Sequence, residues 1–269
     1  MMGEKKFWLN DSNTGHRVTT PENVEPEAYF GYQRIPEKEK TRWVLRHFNS
    51  VARQYDFMNT LLSFGIHHVW KRAAVNAMKL SPGDRVIDVC GGTGDLSILA
   101  ARKIGQGGDV TIYDINRAMI EAGREKIAGS GVPAPIYAVE GNAEEISFPD
   151  NTFEAAMVAY GIRNVTRMKK GFEEMHRVLK PGGTLMCLEF SKPTSRFFRC
   201  LYDFYSFYIM PFLGELIVGS RKAYTHLPES IRTFPMPDEL CFLLEKIGFK
   251  AVSYRRQTNG ISVIHLGTK

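Results

Sequence analysis

The chain has 269 residues, enough for one large α/β domain with additions. Hydrophobic residues make up 43% and charged residues 24%, a balance that excludes disordered and collagen-like chains. The net charge of +6 is spread along the sequence without a nucleic-acid motif, so an anionic membrane surface is the better expected partner than nucleic acid. Cys90, Cys187, Cys200 and Cys241 form no C-x-x-C pair, and three lie in apolar runs, which predicts free buried thiols in a reducing compartment. The N-terminus has no secretory apolar core, and its acids argue against a transit peptide. No run of about 20 apolar residues is present. The expected location is cytoplasmic, with peripheral contact at the inner face of a membrane.

Residues 1–36 are polar, carry Pro21, Pro26 and Pro36, and read as a mobile arm ahead of a domain spanning 37–269. From Glu37 the pattern turns helical, with Val44, Phe48, Val51, Tyr55 and Met58 at three- and four-residue steps. Residues 37–80 then form a helical cap: a helix through Phe48–Asn59, and a second over Ile66–Met78. Ser81-Pro-Gly-Asp84 turns into the first strand of the main fold.

That strand leads the central stretch, Val86-Ile-Asp-Val-Cys-Gly-Gly-Thr-Gly-Asp95. A buried strand runs into a glycine turn, and Leu96, Leu99, Ala100 and Ile104 mark one face of a following helix. Glycines let backbone approach a ligand, and free helix N–H groups point at it. The dinucleotide fingerprint is incomplete, because Ser97 stands at its third glycine. The P-loop lysine is absent, because Asp95 follows Gly94. An acid there repels a pyrophosphate and suits a cationic ligand such as S-adenosylmethionine. The second strand, Val110–Asp114, ends in a carboxylate 20 residues after Gly94, the spacing of an acid that grips a ribose diol.

A helix over Arg117–Ala128 and a third strand, Ile136–Glu140, follow. Asn142 and Ala143 at that strand's end are placed to bracket an adenine ring. Phe153–Tyr160 is a continuous apolar strand, followed by Gly161-Ile-Arg-Asn164 where open α/β sheets hold their ligands. A helix from Thr166, a Leu179-Lys-Pro-Gly-Gly183 turn and a strand over Thr184–Phe190 come next. The tail adds a helix over Asp238–Ile247 and strands at Ala251–Arg255 and Ile261–Leu266. Seven strands alternating with helices imply a mostly parallel sheet with right-handed crossovers. The insertion at 191–237 has an aromatic stretch, Phe197–Phe212, with Arg196, Arg199, Asp203 and Ser206 on one helical stripe. It reads as a packed cap helix, as a wall for an apolar substrate, or as both.

These blocks together resemble the ubiquinone/menaquinone biosynthesis C-methyltransferases, over roughly residues 44–269. The glycine turn and Leu179–Gly183 are shared by many methyltransferases. Gly161-Ile-Arg-Asn-Val165 and Leu188-Glu-Phe-Ser-Lys-Pro193 are much more specific, and Ser63-Phe-Gly-Ile-His67 with Trp70-Lys-Arg72 also matches the family. The resemblance implies a class I S-adenosylmethionine-dependent methyltransferase fold that methylates a ring carbon of a prenylated benzoquinol or naphthoquinol. The implied cofactor site is Asp88, Gly91, Gly92, Thr93, Gly94, Asp114, Ile115, Asn142 and Ala143, with no metal. Arg163 is the expected stabiliser of a phenolate, with Tyr160, Asp56 and His226 as weaker catalytic candidates. Tyr55, Asn164, Phe204 and Phe207 are expected at the substrate, the last two in a groove for the isoprenoid tail. A homodimer or a quinone-biosynthesis complex fits the same reading. The competing readings are a methyltransferase for another apolar small molecule and a nucleotide-binding oxidoreductase.

Overall fold

The computed structural model describes residues 26–219 and 221–269. It opens with a hairpin of β1 (Glu27–Phe30) and β2 (Gln33–Pro36), closed by a two-residue turn with Gly31 at φ +62°. This corrects the expectation of a mobile arm for residues 27–36. Ala28, Phe30 and Ile35 are buried, and the Phe30 ring stacks on His226 at 3.8 Å between centroids. The first 25 residues of the expected arm lie outside the described residues.

The cap consists of α1 (Glu37–Val51), α2 (Tyr55–Leu62) and α3 (Ile66–Ala77). The expected helix through Phe48–Asn59 is broken by a 3-10 turn at Ala52–Gln54, which re-aims Tyr55 and Met58. The main sheet comprises β3 (Arg85–Val89), β4 (Asp109–Asp114), β5 (Ile136–Glu140), β6 (Phe153–Ala159), β7 (Leu179–Phe190), β8 (Lys250–Gln257) and β9 (Ser262–Thr268). Its order is β5-β4-β3-β6-β7-β9-β8, and β9 runs antiparallel to both neighbours while the other pairs are parallel. Strand β7 starts at Leu179 rather than Thr184: the Lys-Pro-Gly-Gly segment is a bulge within it, where the β6 register shifts between Phe153 and Ala155.

Period-two alternation assigns the faces. Val86 packs with Trp70, Ala74, Ala100 and Ile104, from α3 and from α4 (Asp95–Ile104). Its neighbour Ile87 packs on the other side with Phe172, Met175, Leu240 and Leu244. Those residues belong to α6 (Met168–Val178) and α10 (Pro237–Ile247). Helix α5 (Arg117–Ala128) crosses so close to the glycine turn that a Cβ on Gly123 would lie 2.7 Å from Thr93 Cα.

The insertion forms α7 (Arg196–Phe204), a π-helical turn (Tyr205–Ile209), α8 (Met210–Val218) and α9 (Arg221–Thr233). Met210 and Tyr224 pack with Val51, Met58 and Leu62 of the cap. The packed-helix expectation is reversed for α7, which buries no residue of its own. Only the far end of its polar stripe turns inward: Asp203 pairs with Arg232, and Ser206 in the following turn is buried, while Arg196 and Arg199 are exposed. The aromatic face (Phe197, Phe198, Leu201, Phe204) is the exposed one. Among the described residues no helix is long and apolar enough to cross a membrane. All four cysteines are free, but of the expected buried thiols Cys187 alone is buried; Cys90 and Cys241 are half-buried and Cys200, on the exposed helix, is exposed.

Gly123→Ala tests the close crossing. Alanine gains about 1 kcal/mol of helix propensity, but the new methyl meets the Thr93 backbone, and overpacking costs about 1–3 kcal/mol. The variant should melt at a lower temperature than the wild type. A raised melting temperature would show that α5 does not rest on the glycine turn as described.

Candidate active site

Four strands end at one edge of the sheet, at the point where the order reverses between β4-β3 and β6-β7. After β3, Cys90 and Gly92 take positive φ, and Gly94 at φ +80° opens α4. A Cβ on Gly91 would sit 2.9 Å from the Asp88 carboxyl carbon, so this turn admits no side chain. Asp114 ends β4 and ties two turns together: Gly92 N–H donates to one oxygen at 2.9 Å and Asn116 N–H to the other at 2.7 Å. At the end of β5, a Cβ on Gly141 would collide with the Tyr113 ring.

These ends enclose a cavity of about 110 Å³. Asp88, Gly91, Gly92, Thr93, Asp114, Ile115, Asn142 and Ala143 all line it, as expected. Gly94 does not; it packs against Ile127 of α5. The cavity is acidic. Asp88, Asp95, Asp114 and Glu144 line it, and Lys71, the one lining cation among the described residues, is held by Asp95 at 2.6 Å. Burial pushes the Asp88 carboxyl up to about 7, against the hydrogen bond from Ser97. Burial also pushes Asp114 up to about 6, against its two backbone donors.

Asp95 itself differs from the expectation that its charge would repel a phosphate. It accepts 2.6 Å contacts from both Lys71 and Lys126, so its charge is balanced. Burial alone would raise its pKa, but Lys71 and then Lys126 outweigh burial and hold it well below the usual carboxylate range. What disfavours a pyrophosphate is the lack of an unpaired cation among the lining residues. The same donor set suits a ligand carrying an ammonium and a sulfonium, and S-adenosylmethionine fits.

A second cavity of about 670 Å³ lies under the cap, between α1–α3, the ends of β6 and β7, and the insertion. Phe48, Tyr55, Lys71, Tyr160 and Asn164 line both cavities and form their common wall. The rest of its lining is mostly apolar, including Val51, Met58, Leu62, Trp70, Phe190 and Met210. Arg163 lines it too, nearly buried, and pairs with the fully buried Glu189 at 3.0 Å. Arg163 also donates to the Tyr160 carbonyl, and its guanidinium sits 5.6 Å from the Phe190 ring centre.

Other expected residues are placed differently. The Tyr160 ring stacks on Phe190 at 4.3 Å and its hydroxyl meets Ser262 at 3.0 Å. Burial raises that hydroxyl far above the ordinary tyrosine value, so Tyr160 is a wall rather than a proton carrier. Asp56 lines neither cavity; it accepts from Thr93 at 2.7 Å and pairs with Lys126 at 2.6 Å, which makes it a strut between α2 and the glycine turn. Phe204 and Phe207 also line neither cavity. Phe204 is 58% exposed, and Phe207 lies under the Arg232 guanidinium at 4.4 Å. His226 lines the second cavity with Nε2 at 3.4 Å from Asn164 Oδ1, and burial drops its pKa to about 2.

The sequence reading missed His47, Glu189 and Lys126. His47 falls three residues after Val44, on the helical face already picked out. Lys126 and Glu189 carry no local signal, because each is defined by a partner on another element.

A glycine turn after the first strand of the parallel sheet, a carboxylate at the end of the next and an acidic cavity between them define a class I S-adenosylmethionine-dependent methyltransferase. Solved methyltransferases share this fold. A Thermotoga maritima S-adenosylmethionine-dependent methyltransferase superposes with TM-score 0.59 at 19% identity, covering 83% of this chain and 98% of that one. One from Aquifex aeolicus gives 0.55 at 18%, covering 74% and 88%. The sequence pattern of the ubiE/COQ5 methyltransferase family matches residues 36–269, and the chain belongs to that family. It is 43% identical to the ubiquinone/menaquinone biosynthesis C-methyltransferase UbiE of Stutzerimonas stutzeri, covering 92% of this chain and 96% of that protein. The protein of the same name from Pseudomonas putida is 42% identical over 97% of this chain and 100% of its own length.

The raised carboxylates set the pH dependence of cofactor binding. A cationic ligand favours ionised Asp114 and Asp88, so S-adenosylmethionine affinity should rise with pH through about 6 and about 7, then level off. Titration calorimetry across that range checks this, and Asp114→Asn should bind weakly with a shallower rise. Affinity that falls with pH over this range would refute the assignment.

Proposed function

We propose that this chain transfers the methyl group of S-adenosylmethionine to a ring carbon of a prenylated quinol, a benzoquinol or naphthoquinol of ubiquinone/menaquinone synthesis. The observation that carries the reading is the large apolar cavity sharing a wall with the acidic one. The bound cofactor supplies an electrophilic methyl group without a metal.

The chain's own residues do the positioning. Asp114 holds the ribose diol, Asn142 and Ala143 bracket the adenine, and the Gly91–Thr93 backbone carries the amino-acid end. Tyr55 and Asn164, on the common wall, orient the acceptor ring. Arg163, fixed by Glu189, presents a guanidinium whose charge stabilises the ring oxygen as it becomes a phenolate. The cap and the apolar lining exclude water from this end of the cavity.

The mouth of the larger cavity supports a membrane-facing orientation. Phe64 lines the cavity, is 84% exposed, and meets the Tyr205 ring at 6.0 Å. It thereby joins the mouth to the exposed aromatic face that runs from α7 through the π-helical turn to α8, where Tyr208, Phe212 and Leu216 are also exposed. An apolar surface of this extent marks an interaction site, and a lipid interface fits a substrate with an isoprenoid tail.

The test of the function is methyl transfer in vitro to reduced, prenylated naphthoquinol and methoxy-benzoquinol acceptors lacking the ring methyl. Methylation of either supports the reading, and no transfer to both overturns it. Arg163→Lys keeps a positive charge but loses the fork that grips Glu189 and the Tyr160 carbonyl. It should lower kcat by about one to two decades with S-adenosylmethionine affinity unchanged; full activity would remove Arg163 from the chemistry.

The membrane orientation has its own test. The wild-type chain should sediment with anionic phospholipid vesicles. The double variant Phe204→Ser, Phe212→Ser should lose at least about tenfold in partitioning, since each buried phenylalanine contributes about 1.5–3 kcal/mol. Activity on a short-tailed quinol in detergent should persist. Wild-type protein that stays in the supernatant would rule the orientation out.

A further inference from the structure

The larger cavity has a chemical gap. A ring carbon attacks well when the neighbouring hydroxyl gives up its proton, yet among the described residues no Asp or Glu side chain lines this cavity. Lys71 is committed to Asp95. His67 uses Nε2 on Thr60, and its Nδ1 is sealed in the interior. His226 faces Asn164 with Nε2, and its Nδ1 is sealed as well. Burial raises the hydroxyl pKa of Tyr55, Tyr160 and Tyr202.

One neutral base remains. His47 lines the cavity, and its ring nitrogens are not among the sealed ones. Among the described residues no hydrogen bond reaches its ring. Its position is fixed by packing instead, edge-on to Phe48 at 5.0 Å and to His226 at 4.9 Å. Phe48 belongs to the wall common to both cavities, and His226 contacts Asn164 of the same wall, so His47 stands at the reacting end. Burial and then the Arg163 charge pull its pKa down to about 4, so the imidazole is neutral at physiological pH.

We propose that His47 is the general base that accepts the ring-hydroxyl proton of the acceptor. The proposal rests on the quinol-methyltransferase reading above. The O–H electron pair stays on the ring oxygen as the proton moves to a His47 nitrogen. The ring carbon forms its bond to the methyl as the sulfur–methyl bond breaks, and the pair of that bond goes to sulfur. The ring C–H proton then leaves to water, and His47 returns its proton to the ring oxygen. Each turnover thus releases one proton, matching the positive charge lost from the sulfonium. Arg163 next to the same oxygen keeps the imidazole unprotonated between turnovers and stabilises the oxygen after the proton leaves.

The titratable and charged groups acting on His47 are Arg163 from the turn after β6 and His226 from α9. The experiment measures kcat with both quinol and S-adenosylmethionine saturating at every pH from about 6 to about 9, with the two reduced prenylated quinols as probes. Wild-type kcat should be flat, because the base is already neutral throughout. His47→Gln and His47→Phe should be slower by roughly 10²-fold near neutral pH. Their rates should climb about tenfold per pH unit as the quinol ionises unaided, with S-adenosylmethionine affinity unchanged. A rate lowered by one constant factor at every pH would assign His47 to packing and overturn the proposal. A wild-type rate that itself climbs with pH would overturn it without any variant, even if both variants failed to fold. Wild-type protein that methylates neither quinol would overturn the reading of the function, and this step with it.

Discussion

Asp95 takes two ammonium groups at once, and the two cavities depend on that arrangement. Lys71 comes from the cap, Lys126 from α5, and Lys126 also holds Asp56 of α2, which in turn accepts from Thr93 in the glycine turn. Charges drawn this far from water are costly alone and tolerable only as a set. Five side chains from five separate segments must therefore arrive together. Their meeting fixes the cap over the strand ends, and that position makes Phe48, Tyr55 and Lys71 common to both cavities.

The parts of the site legible in the sequence are those whose physics is local. A strand running into glycines needs no distant partner to be recognised, and neither does an aspartate ending the next strand. All of the expected cofactor-side residues but Gly94 do line one cavity. Helical spacing placed Phe48, Tyr55 and Met58 on one face of the cap. What was not legible depends on partners far along the chain. Asp56 looked catalytic until Lys126 was seen beside it. Arg163 gained its meaning from Glu189. The hairpin at 27–36 was hidden by flanking prolines, although Ala28, Phe30 and Ile35 carried the alternation of a half-buried pair of strands.

Helix α7 shows a different limit. Its sequence declares two faces, but amphipathicity does not state which of them meets water. The inward side was settled by Arg232, which captures Asp203, and by the burial of Ser206. With Asp203 and Ser206 turned inward, Phe197, Phe198 and Phe204 face out, beside the exposed Arg196 and Arg199.

Phe64 lines the larger cavity yet is exposed, and on the proposed orientation the cavity opens there, beside that aromatic face. An opening placed there would take its acceptor from a two-dimensional solvent. The concentration that matters is then the mole fraction of quinol within the bilayer, not its amount per volume of buffer. On the proposed membrane orientation, inert phospholipid added at constant total quinol would dilute the acceptor in the plane and slow turnover, while added water would not. For a molecule docked in this way, the composition of the surface becomes a kinetic variable in its own right.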